Sequence, residues 1–207
     1  PFDAGQFVLL QVPGVEGHRG WSMGNHARDA QVLDFVVKKK PGGKLSDWLF
    51  SAEPSGVRVE IFGPLGRATF YPELDQNILC IAGGSGIAGM MSILERASRA
   101  NYFADYDGHV FFGVRSARDA FFLDEFSSLR QTCGERLHVT VVFSEESAPE
   151  SMRTAYPLLD FDTGFVHEAA GRCMQGRYQG IRAYLAGPAP AVDASVRMLL
   201  MARVSTD

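Results

Sequence analysis

Cysteine is scarce in this chain, and the three that occur stand far apart at Cys80, Cys133 and Cys173. That number and spacing suggest no disulfide framework. No pair has the C-x₂-C or C-x₄-C spacing of a zinc or iron–sulfur site, so no metal ligands are expected within the chain. No apolar run reaches 18 residues and no charged-then-apolar leader opens the sequence, which points to a soluble, cytoplasmic protein without a membrane partner. Basic blocks are lacking too. The formal net charge is −4 with both signs spread along the chain, and nothing suggests a nucleic-acid partner. The one cationic cluster, Lys38-Lys39-Lys40 beside Lys44, reads as a short solvated turn. The histidines, His18, His26, His109, His138 and His167, fall in no metal-ligand spacing, and most read as surface or satisfied structural residues. There is no initiator methionine: Pro1-Phe2-Asp3-Ala4-Gly5 leads straight into a strand pattern, as expected of the interior of a longer polypeptide.

What is present is an ordinary globular composition, 46% hydrophobic and 21% charged over 207 residues, enough for one large domain or two small ones. Two rhythms divide it. Up to about residue 73 the runs "QFVLLQV" (6–12), "QVLDFVVKK" (31–39) and "VRVEIFG" (57–63) read as strands between Gly and Pro turns, with a short helix at "KLSDWLFS" (44–51). These predict part of a small antiparallel β-barrel over 1–73. Beyond a seam at "PELDQ" (72–76), strands at 77–83, 109–114, 137–144 and 181–187 alternate with helices near 87–100, 120–133, 164–174 and 189–202. That alternation predicts an α/β domain over 74–207 with a doubly wound parallel sheet. Met90, Met91, Met198 and Met201 read as core packing on those helices.

The first strand of the second half turns into its helix through Gly84-Ser85-Gly86-Ile87-Ala88-Gly89, literally G-x-G-x-x-G. Free helix N–H groups at such a turn suit an anionic group, although a tight ligand-free corner uses similar residues. The second strand ends in Gly113-Val114-Arg115 without the acid that holds a ribose diol in the standard dinucleotide fold, and no G-K-[ST] follows the turn. In the first half, Arg19-Gly20-Trp21-Ser22-Met23-Gly24-Asn25 sets an arginine and an aromatic at alternate positions of a strand, with Ser22 out of step. The arginine offers a fork for phosphate and the indole a flat apolar face. Gly42-Gly43-Lys44-Leu45-Ser46 is a second candidate anion site at a helix start.

Together these residues resemble the ferredoxin–NADP⁺ reductase superfamily. Its R-x-[YFW]-S-x-x-N flavin motif is matched at Arg19, Trp21, Ser22 and Asn25, and its G-x-x-S element at Gly43 and Ser46. Its G-P-x-G turn is matched at Gly63-Pro64-Leu65-Gly66, and its pyridine-nucleotide motif from Gly83 to Ala88, with Gly89 replacing the usual proline. Its C-G-P element is matched at Gly187 and Pro188, with Ala186 in place of the cysteine. The order and spacing run over nearly the whole chain.

The resemblance implies that Arg19 holds an FAD pyrophosphate, that Trp21 flanks the isoalloxazine, and that Ser22 sits near flavin N5 as the catalytic residue. Met23 and Asn25 belong to the same flavin motif. Gly42, Gly43, Lys44 and Ser46 would bind the pyrophosphate at the helix start. Gly84, Ser85 and Gly86 would carry the nicotinamide nucleotide's phosphates, with Gly113 and Arg115 near its ribose or adenine, and Gly187 and Pro188 in the same site. Arg115 and Arg118 could supply a pocket for an NADPH 2′-phosphate, which Asp119 would weaken; the resemblance favours NADH. The nearest likeness is to reductase components of bacterial aromatic-ring oxygenases, which implies electron flow from NADH through FAD to a [2Fe–2S] ferredoxin, fused or separate, that feeds an oxygenase. An NAD(P)H flavin reductase releasing reduced flavin shares the fold, as does a nucleotide-sensing module without catalysis.

Overall fold

A computed structural model describes residues 1–26, 31–51 and 55–205. The first half holds a three-stranded antiparallel sheet of β1 (Phe7–Gln11), β2 (Arg19–Ser22) and β3 (Glu60–Leu65), in the order β2-β1-β3. Alternation along β1 turns Val8 and Leu10 inward, where they pack with Met23, Leu33 and Phe35. A helix, α1 (Lys44–Ser51), buries Leu45 against Val12 and Val15.

Two sequence expectations are corrected here. Residues 31–39 run without joining a ladder among the described residues. Their alternation is satisfied by packing alone: Leu33 and Phe35 reach the β1 cluster, while Gly24 N donates to Asp34 O at 2.8 Å. The strand expected at 57–63 is shifted to 60–65. Glu60 already pairs with Gln11, and residues 57–59 would lie opposite the turn at Pro13 and Gly14, where there is no strand to pair with.

The second half is a parallel sheet of β4 (Asn77–Gly83), β5 (Gly108–Val114), β6 (Leu137–Phe143), β7 (Asp160–Thr163) and β8 (Ile181–Ala186), in the order β7-β6-β5-β4-β8. Its helices are α2 (Ile87–Arg99), α3 (Leu123–Cys133), α4 (Glu150–Ala155), α5 (Val166–Met174) and α6 (Ala189–Met201). Both faces are covered, which is why the central strands read as unbroken apolar runs. Cys80, Ala82, Val110 and Phe112 pack with Met90, Met91 and Phe126 on one side. Leu79, Ile81, Phe111 and Val142 pack with Ala169, Ala170 and Leu199 on the other. The polar stretch after β6 folds into α4 and the edge strand β7, which local patterning did not announce. Met201 is 80% exposed at the end of α6, so it is not core, whereas Met90 and Met91 are buried.

His109, at the start of β5, is buried with its Nδ1 unpartnered and its ring stacked on His138, the centroids 4.9 Å apart. The two halves meet along a seam on α2 and β8. Gly5 N donates to Ser92 Oγ at 2.9 Å, Tyr184 Oη donates to Thr69 O at 2.8 Å, and Arg99 Nη1 donates to His26 O at 2.7 Å. Ala4 is buried in the same core cluster as the α2 methionines. No described helix is long and apolar enough to cross a membrane.

Candidate functional site

At the carboxyl end of β4 the chain turns through Gly84–Gly86 into α2. The glycines there divide their work. Gly84 has φ +54, and a Cβ on it would meet nothing within 4 Å, so this position opens onto space. A Cβ on Gly86 would lie 2.6 Å from Gly187 N, and one on Gly187, itself at φ +130, would lie 2.8 Å from Gly83 N. The turn after β4 and the turn after β8 thus touch backbone to backbone, which only glycine allows.

Two cavities open at this crossing. One, of 520 Å³, runs between the halves and is walled by Trp21 and Ser22 of β2, the segment Val36–Lys38, Gly83–Gly86 and Ala186–Pro188. The other, of 740 Å³, shares Gly83–Ser85, Val36–Lys38 and Pro188 with the first and continues past Gly113–Arg115 to Phe121 and Phe165. The structure therefore brings Trp21, Ser22, Gly84, Ser85, Gly86, Gly113, Arg115, Gly187 and Pro188 around one continuous cleft. It lies outside the carboxyl ends of the parallel strands, where open α/β sheets take ligands.

The remaining sequence-expected residues stand apart from that cleft. Arg19 is exposed, its guanidinium bonded only to the neighbouring His18 carbonyl, at 3.0 Å, among the described residues. Met23 is 1% exposed, and its side chain belongs to the β1 core. Asn25 is engaged structurally: Nδ2 donates to Val32 O at 2.9 Å and Oδ1 accepts from Asp34 N at 3.0 Å. Ser46 closes its own turn, its Oγ accepting from Lys40 N at 3.1 Å and lying 2.9 Å from Gly43 O. Gly42 has φ +71, a Cβ on Gly43 would lie 2.8 Å from Ser46 Oγ, and Lys44 starts α1 exposed to solvent.

Sequence reasoning missed Val36, Val37, Lys38, Phe121 and Phe165 as cleft walls. Lys38 is 60% exposed, as the solvated reading expects, and its Nζ also lies 3.7 Å from Asp119 Oδ1 at the cleft. Arg115 Nε lies 3.9 Å from Asp119 Oδ2, to which Ser116 Oγ donates at 3.0 Å. Desolvation works against the Asp119 carboxylate, yet the Ser116 hydrogen bond and the cations Lys38, Arg115 and Arg118 outweigh it and hold its pKa below the ordinary range. The one signal that pointed here was the Arg-x-x-Arg-Asp run after β5.

The donor set suits a flavin and a dinucleotide. Arg19 has no carboxylate partner, and the exposed Ser22 hydroxyl has no hydrogen bond among the described residues. Trp21 is held edge-on by Phe35 at 5.8 Å, which fixes a flat apolar wall. The turn Gly84–Gly86 that leads into α2 lines the cleft, with Gly84 placing no side chain in it.

Comparison with known proteins agrees with this layout. Residues 1–70 match the oxidoreductase FAD-binding domain family, and residues 80–196 match the oxidoreductase NAD-binding domain family. The chain is 32% identical over 214 residues to ferredoxin–NAD(P)(+) reductase CarAd of Metapseudomonas resinovorans, covering 100% of this chain and 58% of that protein. It is 30% identical over 207 residues to the xylene/toluene monooxygenase electron transfer component XylA of Pseudomonas putida, covering 100% of this chain and 55% of that protein. The structure of the Amycolatopsis cytochrome P450 reductase GcoB superposes with a TM-score of 0.86 at 30% identity, covering 99% of this chain and 58% of that one. The chain spans little more than half the length of these relatives.

Proposed function

We propose, for a chain that belongs to the ferredoxin–NADP⁺ reductase superfamily of FAD- and NAD-binding oxidoreductases, that it passes electrons from NADH through FAD to a [2Fe–2S] ferredoxin, fused or separate, which feeds an aromatic-ring oxygenase in the cytoplasm. The division into an FAD-binding part over 1–73 and an NAD-binding part over 74–207 belongs to this proposal. The observation that carries it is the single cleft joining Trp21 and Ser22 to the glycine turn at Gly84–Gly86. Bound FAD would supply the chemistry, accepting a hydride and releasing electrons singly.

The chain's own residues hold and orient. Arg19 offers its guanidinium fork to the flavin pyrophosphate. At Gly42-Gly43-Lys44 the backbone N–H groups of the α1 start do the holding, because the Ser46 hydroxyl is engaged within the turn. Ser22, whose exposed hydroxyl lines the cleft, would offer a hydrogen bond to the flavin ring. Gly84, Ser85 and Gly86 seat the pyrophosphate of the dinucleotide, and Gly187 and Pro188 wall off the nicotinamide end from water. Near Gly113 and Arg115, the ionised Asp119 can accept from a ribose diol and repels a 2′-phosphate, which supports NADH over NADPH.

Anaerobic stopped-flow absorbance of the full-length polypeptide, mixed in turn with NADH and NADPH, tests this. A bound flavin band that bleaches faster with NADH is the expected result, and additional iron–sulfur bands would place the ferredoxin in the same polypeptide. A colourless protein that reduces no acceptor, even with FAD supplied, would sink the reading. One that reduces added FAD without retaining it is a flavin reductase instead.

A further inference from the structure

The third residue of α2 is a glycine, and the helix itself does not ask for one. Gly89 follows Ile87 and Ala88 and precedes Met90 and Met91, at a position where alanine would hold the helix better. Its backbone is helical and not left-handed, so conformation does not call for glycine either. What calls for it is a neighbour. A Cβ on Gly89 would lie 3.2 Å from Ser22 Cβ and 3.4 Å from Ser22 Oγ, with Gly5 O at 3.8 Å. The two serine distances are tighter than ordinary van der Waals contact, so a methyl here would drive the Ser22 side chain back by a few tenths of an ångström. Gly24, just beyond Ser22, faces the same turn of helix: a Cβ on it would lie 3.9 Å from Ala88 O.

The contact is braced from behind. Ser92 lies one turn on from Gly89, on the same side of α2, and is fully buried. Its Oγ donates to Gly89 O at 2.7 Å and accepts from Gly5 N at 2.9 Å. Gly5 leads into β1, where Gln6 O accepts from Met23 N at 3.2 Å and Phe7 pairs with Ser22 across the sheet. The links form a closed circuit. Ser22 is tied to β1, β1 through Gly5 to Ser92, Ser92 to Gly89, and Gly89 presses back on Ser22. The serine side chain stays exposed on the wall of the 520 Å³ cavity, which Gly86 and Ala88 at the start of α2 also line.

We propose that Gly89 is a positioning residue for Ser22: by presenting no side chain, it lets the helix that follows the glycine turn lie directly against the serine and sets where the hydroxyl stands. This rests on reading Ser22 as the hydroxyl that meets the flavin ring. Gly89 lines neither cavity of the cleft, so it acts through Ser22 and is not a binding residue.

The test is stopped-flow reduction by NADH of the full-length, flavin-loaded polypeptide in wild-type, Gly89→Ala, Ser22→Ala and doubly substituted forms, with ADP-ribose titrated by calorimetry alongside. Alanine favours the helix, so Gly89→Ala should fold and keep its flavin, which retained flavin absorbance checks. Displacement of the hydroxyl should slow flavin reduction at saturating NADH about tenfold. The Kd for ADP-ribose should stay within about twofold of wild type, because the glycine turn that seats it is untouched. In the Ser22→Ala background the same substitution should change the rate by less than about twofold, since the hydroxyl it displaces is gone. An unchanged rate in Gly89→Ala, or a loss as large in the Ser22→Ala background as in the wild type, overturns the positioning role and leaves the reductase reading intact. Flavin loss from Gly89→Ala also overturns it, marking the glycine as packing alone, and so does a Ser22→Ala form reduced at the wild-type rate. A wild-type flavin that NADH does not reduce overturns both readings.

Discussion

Two glycine-bearing corners do similar proposed work in this molecule and are built in opposite ways. The corner at Gly42–Gly43 closes upon itself: Ser46, three residues on, supplies the hydrogen bonds that hold it. The corner at Gly84–Gly86 closes against a chain segment a hundred residues away, where Gly187 presses on Gly83 and Gly86. A locally closed corner depends on one side chain. A corner closed at long range depends on the backbone positions of two strands.

The largest expected effect follows from that dependence. Gly86→Ala places a methyl between two backbones that cannot yield separately, and should cost roughly 3 kcal/mol in urea unfolding of the full polypeptide. A loss under about 1 kcal/mol would break the contrast, since it would mean the β8 turn moves freely.

Acid should loosen the parallel sheet that carries the second corner. Burial first, then the neighbouring His138 and Arg177, lower the His109 pKa from 6.5 to about 4. The unfolded chain therefore takes up this proton at a higher pH than the folded one. The contribution is present above pH 6.5 and drains away as pH falls towards 4, about 2 kcal/mol of it by pH 5. Unfolding curves at pH 7.5 and pH 5 should separate for the wild type and draw together for His109→Gln.

Ser46→Ala tests the local corner. It strands Lys40 N and should cost about 1–2 kcal/mol, with weaker FAD retention and an unaltered Kd for ADP-ribose. The smallest stability effect belongs to Gly84→Ala, about 1 kcal/mol for a left-handed residue with free space around it. Its functional effect should be the sharper one: a methyl in the cleft weakens NADH binding about tenfold while flavin retention holds, as flavin fluorescence and NADH titration would show. Equal damage to both ligands would merge the two corners into one site.

The same contrast explains what was legible beforehand. The change of rhythm at Gly83–Gly86, from a buried strand to a 3.6-residue period, is a local signal, and it located the turn and the parallel sheet. Gly187 was found through its motif, but its steric reason, the approach of Gly83, lies in no local pattern. Lys38 and Asp119 are 81 positions apart, so a lysine run reads as a solvated turn until the fold brings the carboxylate to it. The run at 31–39 was read as a strand, yet it joins no ladder among the described residues; Leu33 and Phe35 only pack inward, since periodicity reports burial and not ladder partners. Phe165 carried no signal, because an exposed aromatic at a helix start matches no buried pattern.

The seam between the halves has a consequence for the chain as a physical object. Ala4 shares a core with α2, and the carbonyls of Thr69 and His26 are held by Tyr184 and Arg99. Such a joint is a weld and not a hinge. A protease that nicks the exposed stretch at 72–75 should leave two fragments that co-migrate on a sizing column and separate only in denaturant, in one melting transition.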